Sequence, residues 1–302
     1  MILSCGEALI DMLPRTSTAG EACFAPYAGG AVMNTAIALG RLGSHSGFLT
    51  GLSSDLMGDV LQTTLRAANV NLDYCVRSDR PTTLAFVKLT DGHASYFFYD
   101  ENTAGRMMTL ADMPVLPDTV RAYFTGGIWL AVEPCGSALE AMLLREAGNR
   151  VTMVDPNVRP SFVKDRAAYT ARIDRMIAAA DIVKMSDEDA IWLYGACDPA
   201  AILAKGTKVV LITEGSKGAT AYTARGSVHV DAPKITVADT VGAGDTFNAG
   251  FLAALDRAGL LSKSAVASLS DEALTDALSL GTRAAAITCS RPGANPPWAH
   301  EL

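Results

Sequence analysis

The stretch Asp239–Phe247 reads DTVGAGDTF, and an apolar run over residues 249–255 follows it. Two glycines and an alanine leave the backbone almost bare where this pattern predicts the start of a helix. The first N–H groups of a helix have no partner within the helix and can bind an anion together. Asp245 places a carboxylate beside this predicted anion pocket, which suits the deprotonation of an alcohol that attacks a phosphoryl group. These residues alone are equally consistent with a tight turn and an acidic residue that favours a helix start.

Two other phosphate-binding motifs do not fit this stretch. A P-loop needs Gly-Lys-Ser/Thr four residues after a glycine, and that sequence does not follow. A dinucleotide fingerprint needs its third glycine where Phe247 stands, and the stretch lies late in the chain. A dinucleotide-dependent oxidoreductase is therefore disfavoured.

The composition argues against several classes of protein. With 302 residues, 49 % of them hydrophobic, the chain can bury a large core, as one α/β domain or with a small appendage. The sequence contains no run of about 18 apolar residues, so it predicts no membrane span. An acidic residue near the start argues against a signal peptide. The net charge of −7 disfavours nucleic acid as a partner. The six scattered cysteines form no C-x-x-C pair, which disfavours zinc and redox sites and indicates a reducing cytoplasm.

Strand-like and helix-like segments alternate along most of the chain. The first apolar run, at residues 2–8, predicts a strand that ends at Asp11. Further apolar runs predict strands at 46–51, 122–125, 151–154, 182–185 and 208–213. Helices are predicted at 34–42, 55–68 and 281–290. Strands that are apolar on both faces and separated by helices predict a parallel sheet covered on both sides, which is an α/β fold.

Two segments interrupt this alternation, at residues 11–27 and 82–100. The second reads as a hairpin around the turn signal Asp91-Gly92. We expect both segments to pair into a small sheet that acts as a lid, although an ordinary hairpin on the edge of the core is an alternative. A further hairpin is predicted from residues 218–222 and 227–230.

Five motifs, taken in order, resemble the ribokinase-like (PfkB) carbohydrate kinase family over essentially the whole chain. They are residues 29–36 (GGAVMNTA), 51–58 (GLSSDLMG), 155–160 (DPNVRP), 213–219 (TEGSKGA) and 239–245 (DTVGAGD). The resemblance implies one ribokinase-like domain over residues 1–302, a three-layer sandwich with a mostly parallel central sheet and a small β-strand lid. It also implies transfer of the γ-phosphate of ATP to a hydroxymethyl group of a sugar, with Mg²⁺.

The resemblance assigns the transfer chemistry to the glycine-rich stretch. Asp245 is the expected base, and the N–H groups of Gly242, Ala243 and Gly244 are expected to hold the charge of the transferring phosphoryl oxygens. Phosphoryl transfer depends mainly on positioning and electrostatic stabilisation, so this set of groups is chemically sufficient.

The expected sugar contacts are Asp11, Gly30 and Asn34, and Arg159 is the expected clamp on a phosphate or on the substrate. A carboxylate accepts two hydroxyl hydrogen bonds, an amide both donates and accepts, and a guanidinium binds oxyanions in a bidentate manner. Without the resemblance, a solvated turn residue, a helix cap and a surface ion pair are the alternatives for Asp11, Asn34 and Arg159.

The expected nucleotide contacts are Lys184, Ser186, Thr213, Gly215, Gly218, Gly244 and Thr282. Adenine is expected against the small residues of the 281–290 helix, where Thr282 replaces the usual Asn; close helix packing is the alternative. The family's Asn-x-x-Glu, which orders water around magnesium, is replaced here by the segment 186–189 (SDED). Asp189, or Glu188, is therefore expected to reach Mg²⁺ through water, and a monovalent cation such as K⁺ is expected near Asp239.

Within the family, the DPNVRP segment and the ending GANPP at 293–297 are most similar to bacterial fructokinases. Many relatives carry Arg where this chain has Asp100, so an acid sugar is disfavoured and fructose is the expected acceptor. Another neutral sugar, a nucleoside and 2-keto-3-deoxygluconate are the alternative substrates, and a non-catalytic sugar or nucleotide sensor is the alternative from a different class. Exposed strand edges in the lid favour a homodimer.

Overall fold

The computed structural model describes residues 1–90 and 93–302, and all of their side chains except those of residues 89, 90, 93 and 94. In chain order, the strands are β1 (Ile2–Cys5), β2 (Leu9–Thr16), β3 (Ala22–Gly29), β4 (Ser46–Leu49), β5 (Gly51–Ser53), β6 (Val76–Ser78), β7 (Leu84–Thr90), β8 (His93–Tyr99), β9 (Ala122–Gly126), β10 (Val151–Asp155), β11 (Ile182–Ser186), β12 (Val209–Thr213), β13 (Ala219–Thr223) and β14 (Gly226–Val230). The α-helices are α1 (Ala31–Arg41), α2 (Leu56–Ala67), α3 (Cys135–Glu146), α4 (Arg166–Ala179), α5 (Asp187–Tyr194), α6 (Pro199–Leu203), α7 (Ala243–Arg257), α8 (Lys263–Val266) and α9 (Asp271–Cys289).

The central sheet has the strand order β14-β13-β12-β11-β10-β9-β1-β4. The strands from β12 to β4 are parallel, and the hairpin of β13 and β14 adds an antiparallel edge. This confirms the mostly parallel sheet and the hairpin predicted at 218–222 and 227–230.

Helices cover both faces of this sheet because its strands are apolar on both sides. Successive strand residues point to opposite faces. Ile2 belongs to an apolar cluster that includes residues of α1, α2, α7, α8 and α9, whereas Leu3 belongs to a second cluster that includes residues of α3, α4, α5 and α6. The three-layer α/β architecture predicted from the sequence is therefore confirmed. The helix predicted at 281–290 is the carboxyl-terminal half of α9, which begins at Asp271.

A smaller sheet has the order β3-β2-β7-β8, so the two interrupting segments pair with each other as predicted. β2 and β7 run parallel, and the other pairs are antiparallel. The pairing of β7 with β8 confirms the strands of the predicted hairpin, while the Asp91-Gly92 turn lies outside the described residues. A third, two-stranded sheet joins β5 and β6.

The first strand was predicted wrongly. β1 ends at Cys5, and Asp11 is the third residue of β2 in the smaller sheet, not the end of a core strand. The chain leaves the central sheet at Gly6, where a Cβ atom would lie 2.6 Å from Cγ2 of Val32. The buried residues Leu9 and Ile10 continue the apolar pattern across this break, so the pattern alone does not reveal it.

Side-chain contacts join the smaller sheet to the rest of the molecule. Asp55 is the N-cap of α2, and its carboxylate also accepts hydrogen bonds from the N–H (2.8 Å) and hydroxyl (2.6 Å) of Thr82, just before β7. The ring of Phe98 in β8 packs edge-to-face on Phe162, with 4.4 Å between the centroids. None of the described helices is both long enough and apolar enough to cross a membrane.

Candidate active site

The glycine-rich stretch forms the start of α7, as the sequence predicts. Gly242 is the N-cap, with φ of +79°, a left-handed conformation that favours glycine. The N–H of Ala243 donates to the carbonyl of Thr240 (3.3 Å), whereas the N–H groups of Gly242 and Gly244 have no acceptor among the described residues. These residues are partly exposed, so two of the three predicted backbone donors are free to bind an anion from solvent.

Asp245 lies directly behind this helix start and is buried. Its Oδ2 accepts a hydrogen bond from Nδ2 of Asn34 (2.9 Å), and its Oδ1 accepts one from Nδ2 of Asn157 (3.3 Å). Burial raises the pKa of Asp245 to about 6, although the hydrogen bond from Asn34 acts in the opposite direction. Two amides therefore orient a carboxyl group whose pKa is suited to proton transfer near neutral pH.

A buried ion pair lies next to the same helix start. Nζ of Lys184 donates to Oδ2 of Asp155 (3.0 Å), which also accepts from Nδ2 of Asn248 (2.7 Å). A Cβ atom on Gly244 would lie 2.9 Å from Nζ of Lys184, so the ammonium group touches the glycine turn. Burial lowers the pKa of Lys184, but the nearby carboxylates, Asp155 foremost, outweigh burial and leave this pKa above its ordinary value.

Asp155 also reaches the base through Asn157. Its Oδ1 accepts a hydrogen bond from the N–H of Asn157 (3.1 Å), which closes an Asx turn. This turn holds Asn157 at φ of +42°, a conformation that Asn tolerates, with its amide directed at Asp245. One carboxylate thus positions both a cation beside the glycine turn and an amide on the base.

The predicted sugar residues lie on three different elements. Gly30 is the N-cap of α1, and Asn34 follows one turn later, bonded to Asp245 rather than capping a helix. Asp11 lies on β2, where Gly29 leaves room for its carboxylate, because a Cβ there would be 2.3 Å from Oδ2. Burial raises the pKa of Asp11 to about 6.

Arg159 is exposed and forms no ion pair with the described residues, so the alternative of a surface ion pair is not observed. Its Nη1 donates to the carbonyl of Val158 (3.1 Å). The charges of Asp11 and Arg159 both act on the pKa of Tyr96, which burial raises above its ordinary value. Asp11 of the smaller sheet and Arg159 of the loop after β10 are therefore both near Tyr96.

Three of the predicted nucleotide residues lie at the carboxyl ends of neighbouring strands. Ser186 ends β11 and Thr213 ends β12, and Gly215 follows on an exposed turn with φ of +56°. Gly218 packs against backbone, since a Cβ there would lie 2.1 Å from the carbonyl oxygen of Val230.

The small residues of α9 pack closely against α7. A Cβ on Gly250 would lie 2.7 Å from Cα of Gly281, so Gly281 serves helix packing. The adjacent Thr282 is buried, and its hydroxyl donates to the carbonyl of Ser279 (3.2 Å) within the helix. The predicted contact of Thr282 with the nucleotide stays a prediction.

The predicted metal residues are held by backbone groups. The carboxylate of Asp189 accepts from the N–H of Ser186 (3.2 Å) and from the N–H of Val158 (3.0 Å), while Glu188 is exposed. Asp239 accepts from the N–H of Val241 (3.0 Å) and from that of Gly293 (2.9 Å). Within residues 1–90 and 93–302, no group of three or more metal-binding side chains is present. The roles of Asp189, Glu188 and Asp239 toward cations stay predictions.

Sequence reasoning missed Glu7, Asn157 and Asn248. Asn157 lies inside a quoted motif, and Asn248 follows Asp245 by less than one helical turn, so their positions carried some signal. Glu7 follows β1 and is buried, and burial raises its pKa to about 7. A charged residue inside the apolar run predicted as the first strand was the available signal for it.

Residues 1–301 match the model of the pfkB family carbohydrate kinases. The chain belongs to this family. A fructokinase of Rhizobium leguminosarum bv. trifolii is 55 % identical over 278 residues, which cover 91 % of this chain and 85 % of the relative. A fructokinase of Salmonella typhimurium is 32 % identical over 271 residues, with 84 % of each chain covered.

The fold of this pfkB family carbohydrate kinase is also similar to that of solved structures. The fructokinase of Xylella fastidiosa with bound ATP has a TM-score of 0.88 and 27 % identity, and the match covers 97 % of this chain and 93 % of that one. The ribokinase-like fold inferred from five short motifs is therefore confirmed.

Proposed function

We propose that this carbohydrate kinase is a fructokinase, which transfers the γ-phosphate of ATP to a hydroxymethyl group of fructose. The observation that carries the proposal is the buried carboxyl of Asp245, oriented by two amides behind a helix start at which the N–H groups of Gly242 and Gly244 have no acceptor among the described residues. A sensor has no use for a base in this position. The 55 % identity to a fructokinase supports fructose as the acceptor.

The reaction follows from these groups. Asp245 accepts the proton of the fructose hydroxyl, and the hydroxyl oxygen forms a bond to the γ-phosphorus as the bond from that phosphorus to the bridging oxygen of ADP breaks. The N–H groups of Gly242 and Gly244 stabilise the charge on the transferring phosphoryl oxygens. The Lys184 ammonium lies against Gly244 and adds a fixed positive charge at the same place.

The remaining contacts follow the family resemblance. Asp11, Gly30, Asn34 and Arg159 bind the sugar, and Ser186, Thr213 and Gly215 line the nucleotide. Mg²⁺ would enter with ATP and would neutralise phosphate charge, and Asp189 or Glu188 would hold it through water.

Asp100 does not favour a neutral sugar in the way that its charge suggests from the sequence. Asp100 forms an ion pair with Nη1 of Arg106 (2.7 Å) and is buried, so it does not present an unpaired negative charge to the sugar. The preference for fructose therefore rests on the relatives and not on the charge of Asp100.

A coupled assay of ADP release tests the proposal with fructose, ribose, adenosine, glucose and 2-keto-3-deoxygluconate as acceptors. We expect fructose to have the highest kcat/KM. Turnover of another acceptor in its place would correct the substrate, and no turnover with any acceptor would favour the sensor. The variant Asp245→Asn should lose about 10²–10⁴-fold in kcat, since it loses the base. It should still bind fructose in a calorimetric titration.

We further propose that residues 1–302 form one domain in which the smaller sheet acts as a lid, and that two copies pair through this sheet. Phe24, Phe97 and Tyr99 are exposed on it and border a groove of about 700 Å³. Exposed aromatic clusters of this kind mark interfaces. Light scattering should give the mass of a dimer, and Phe97→Asp should give a monomer. The six free cysteines among the described residues support a reducing, cytoplasmic location.

A further inference from the structure

Glu7 is a buried carboxyl group that the reaction described above does not use. It lies in the short turn between β1 and β2, and only 1 % of it is exposed. Its Oε1 accepts a hydrogen bond from the N–H of Ala31 (3.0 Å), and its carbonyl accepts one from the N–H of Met33 (3.3 Å). Its Oε2 is buried and has no hydrogen-bond partner. Glu7 thus contacts the first turn of α1 through both side chain and backbone.

Glu7 fits closely between two glycines, with its carboxyl group against Gly127 and its backbone carbonyl against Gly30. A Cβ atom on Gly127 would lie 2.1 Å from Oε1 and 2.2 Å from Oε2, and a Cβ on Gly30 would lie 2.8 Å from the carbonyl oxygen of Glu7. Both glycines have positive φ, +76° and +108°. Gly30, as the N-cap of α1, has no side chain to satisfy the N–H groups of the first turn. The Glu7 carboxyl supplies that acceptor from outside the helix.

The first turn of α1 leads directly to the base. The N–H of Asn34 donates to the carbonyl of Gly30 (2.8 Å), so the position of Asn34 depends on how this turn is held. The side chain of Asn34 then donates to Asp245 (2.9 Å). A continuous set of hydrogen bonds therefore runs from Glu7 through the α1 turn to the catalytic carboxyl.

We propose that Glu7 is a positioning residue for phosphoryl transfer, which acts through the first turn of α1 on Asn34 and hence on Asp245; this rests on the proposed kinase function. What the position needs is an acceptor of the correct length. Glutamine keeps that acceptor without the charge, aspartate keeps the charge on a shorter arm, and alanine removes both.

Steady-state kinetics with fructose and ATP test this order. We expect Glu7→Gln to keep kcat within about threefold of wild type, and Glu7→Ala to lower it by about 10–100-fold, with Glu7→Asp in between. The KM for ATP should not change, because the described hydrogen bonds of Glu7 are to α1, which is not proposed to bind the nucleotide. An aspartate variant more active than the glutamine variant would overturn the proposal.

A second variant set separates positioning from general stability. The double variant Glu7→Ala/Asn34→Ala should have a kcat within about twofold of that of Asn34→Ala alone, because the route through Asn34 is already lost. A double variant whose loss of kcat is the product of the two single losses would overturn the proposal. Ser46→Ala is the matched control, because it removes a buried hydrogen bond (2.9 Å) to the carbonyl of Ala36 in the same helix. It should lower Tm with kcat unchanged, and a loss of kcat equal to that of Glu7→Ala would overturn the proposal.

A crystal structure of Glu7→Asp gives a readout that needs no turnover. We expect the distance from Nδ2 of Asn34 to Oδ2 of Asp245 to exceed 3.5 Å, the limit for a side-chain hydrogen bond. An unchanged distance would overturn the proposal even if the wild-type protein phosphorylated none of the sugars. Inactive wild type with a longer distance would instead overturn the proposed kinase function alone.

Discussion

Replacing Lys184 by methionine tests the buried ion pair next to the glycine turn. The Lys184 and Asp155 side chains are 5 % and 2 % exposed. Removing one partner of such a pair leaves a buried charge and costs about 3–5 kcal/mol. Asp155 keeps hydrogen bonds from Asn248 (2.7 Å) and from the N–H of Asn157 (3.1 Å), so we expect a loss near 3 kcal/mol, the lower end of that range.

The double variant Lys184→Met/Asp155→Asn separates stability from catalysis. With both charges removed, most of the free energy of unfolding lost in Lys184→Met should return, as measured by urea denaturation. Turnover should not return, because the ammonium beside Gly244 is still missing. We expect kcat to remain about 10²–10³-fold below wild type, the effect typical of removing one group that stabilises a developing oxyanion.

The exposed pair of Lys205 with Asp174 (2.8 Å) provides the control. Its side chains are 30 % and 39 % exposed, so Lys205→Met should cost less than about 1 kcal/mol and leave turnover unchanged. Recovery of turnover in the double variant would refute the catalytic role of Lys184. A stability loss in Lys184→Met no larger than in Lys205→Met would refute the energetic importance of the buried pair.

Three further predictions concern pH and the smaller sheet. Asp245 must be ionised to accept a proton, and burial raises its pKa to about 6. We therefore expect kcat/KM to fall about tenfold per pH unit below about pH 6. A kcat/KM that stays constant down to about pH 5 would contradict the role of Asp245 as base. Burial raises the pKa of Glu7 from 4.5 in the unfolded chain to about 7 in the folded protein. The folded protein therefore holds this proton more tightly, which contributes stability that is fully present below pH 4.5 and is lost as the pH rises through about 7. Urea denaturation between about pH 5 and about pH 8 should therefore show a smaller fall in stability for Glu7→Gln than for wild type, and equal slopes would contradict this. Thr82→Val should lower the free energy of unfolding by about 1–3 kcal/mol, because one bond to Asp55 is lost; no change in the urea midpoint would count against that contact.

The sequence predicts this architecture well where a pattern is local. Alternating apolar runs and helices are enough to predict a parallel sheet covered on both faces, and the DTVGAGDTF stretch predicts the helix start at Gly242. The boundary between β1 and β2 was not predictable in this way, because buried residues stand on both sides of it. Which of two sheets a strand joins is decided by partners far away in the chain, such as the pairing of β2 with β7.

The same limit applies to the site. Asp245 and the glycine turn are close in sequence and were predicted together. The contacts that orient Asp245 come from Asn34 and Asn157, which are separated from it by 211 and 88 positions. A single sequence shows which residue types are present, but not that their amides meet on one carboxylate. The sequence likewise shows Asp100 as an acidic residue but does not show that Arg106 forms an ion pair with it.

The smaller sheet is joined to the rest of the molecule by four separate lengths of chain. Residues 6–8 enter β2, β3 passes directly into the first turn of α1 at Gly30, residues 79–83 enter β7, and residues 100–104 leave β8. A sheet attached at four points cannot rotate about a single flexible loop. Any rotation of it strains all four connections together, and one of them is the turn that carries Asn34. If the smaller sheet closes over a sugar as proposed, we expect that closure to move the turn that carries Asn34 and so to align the base at the same time.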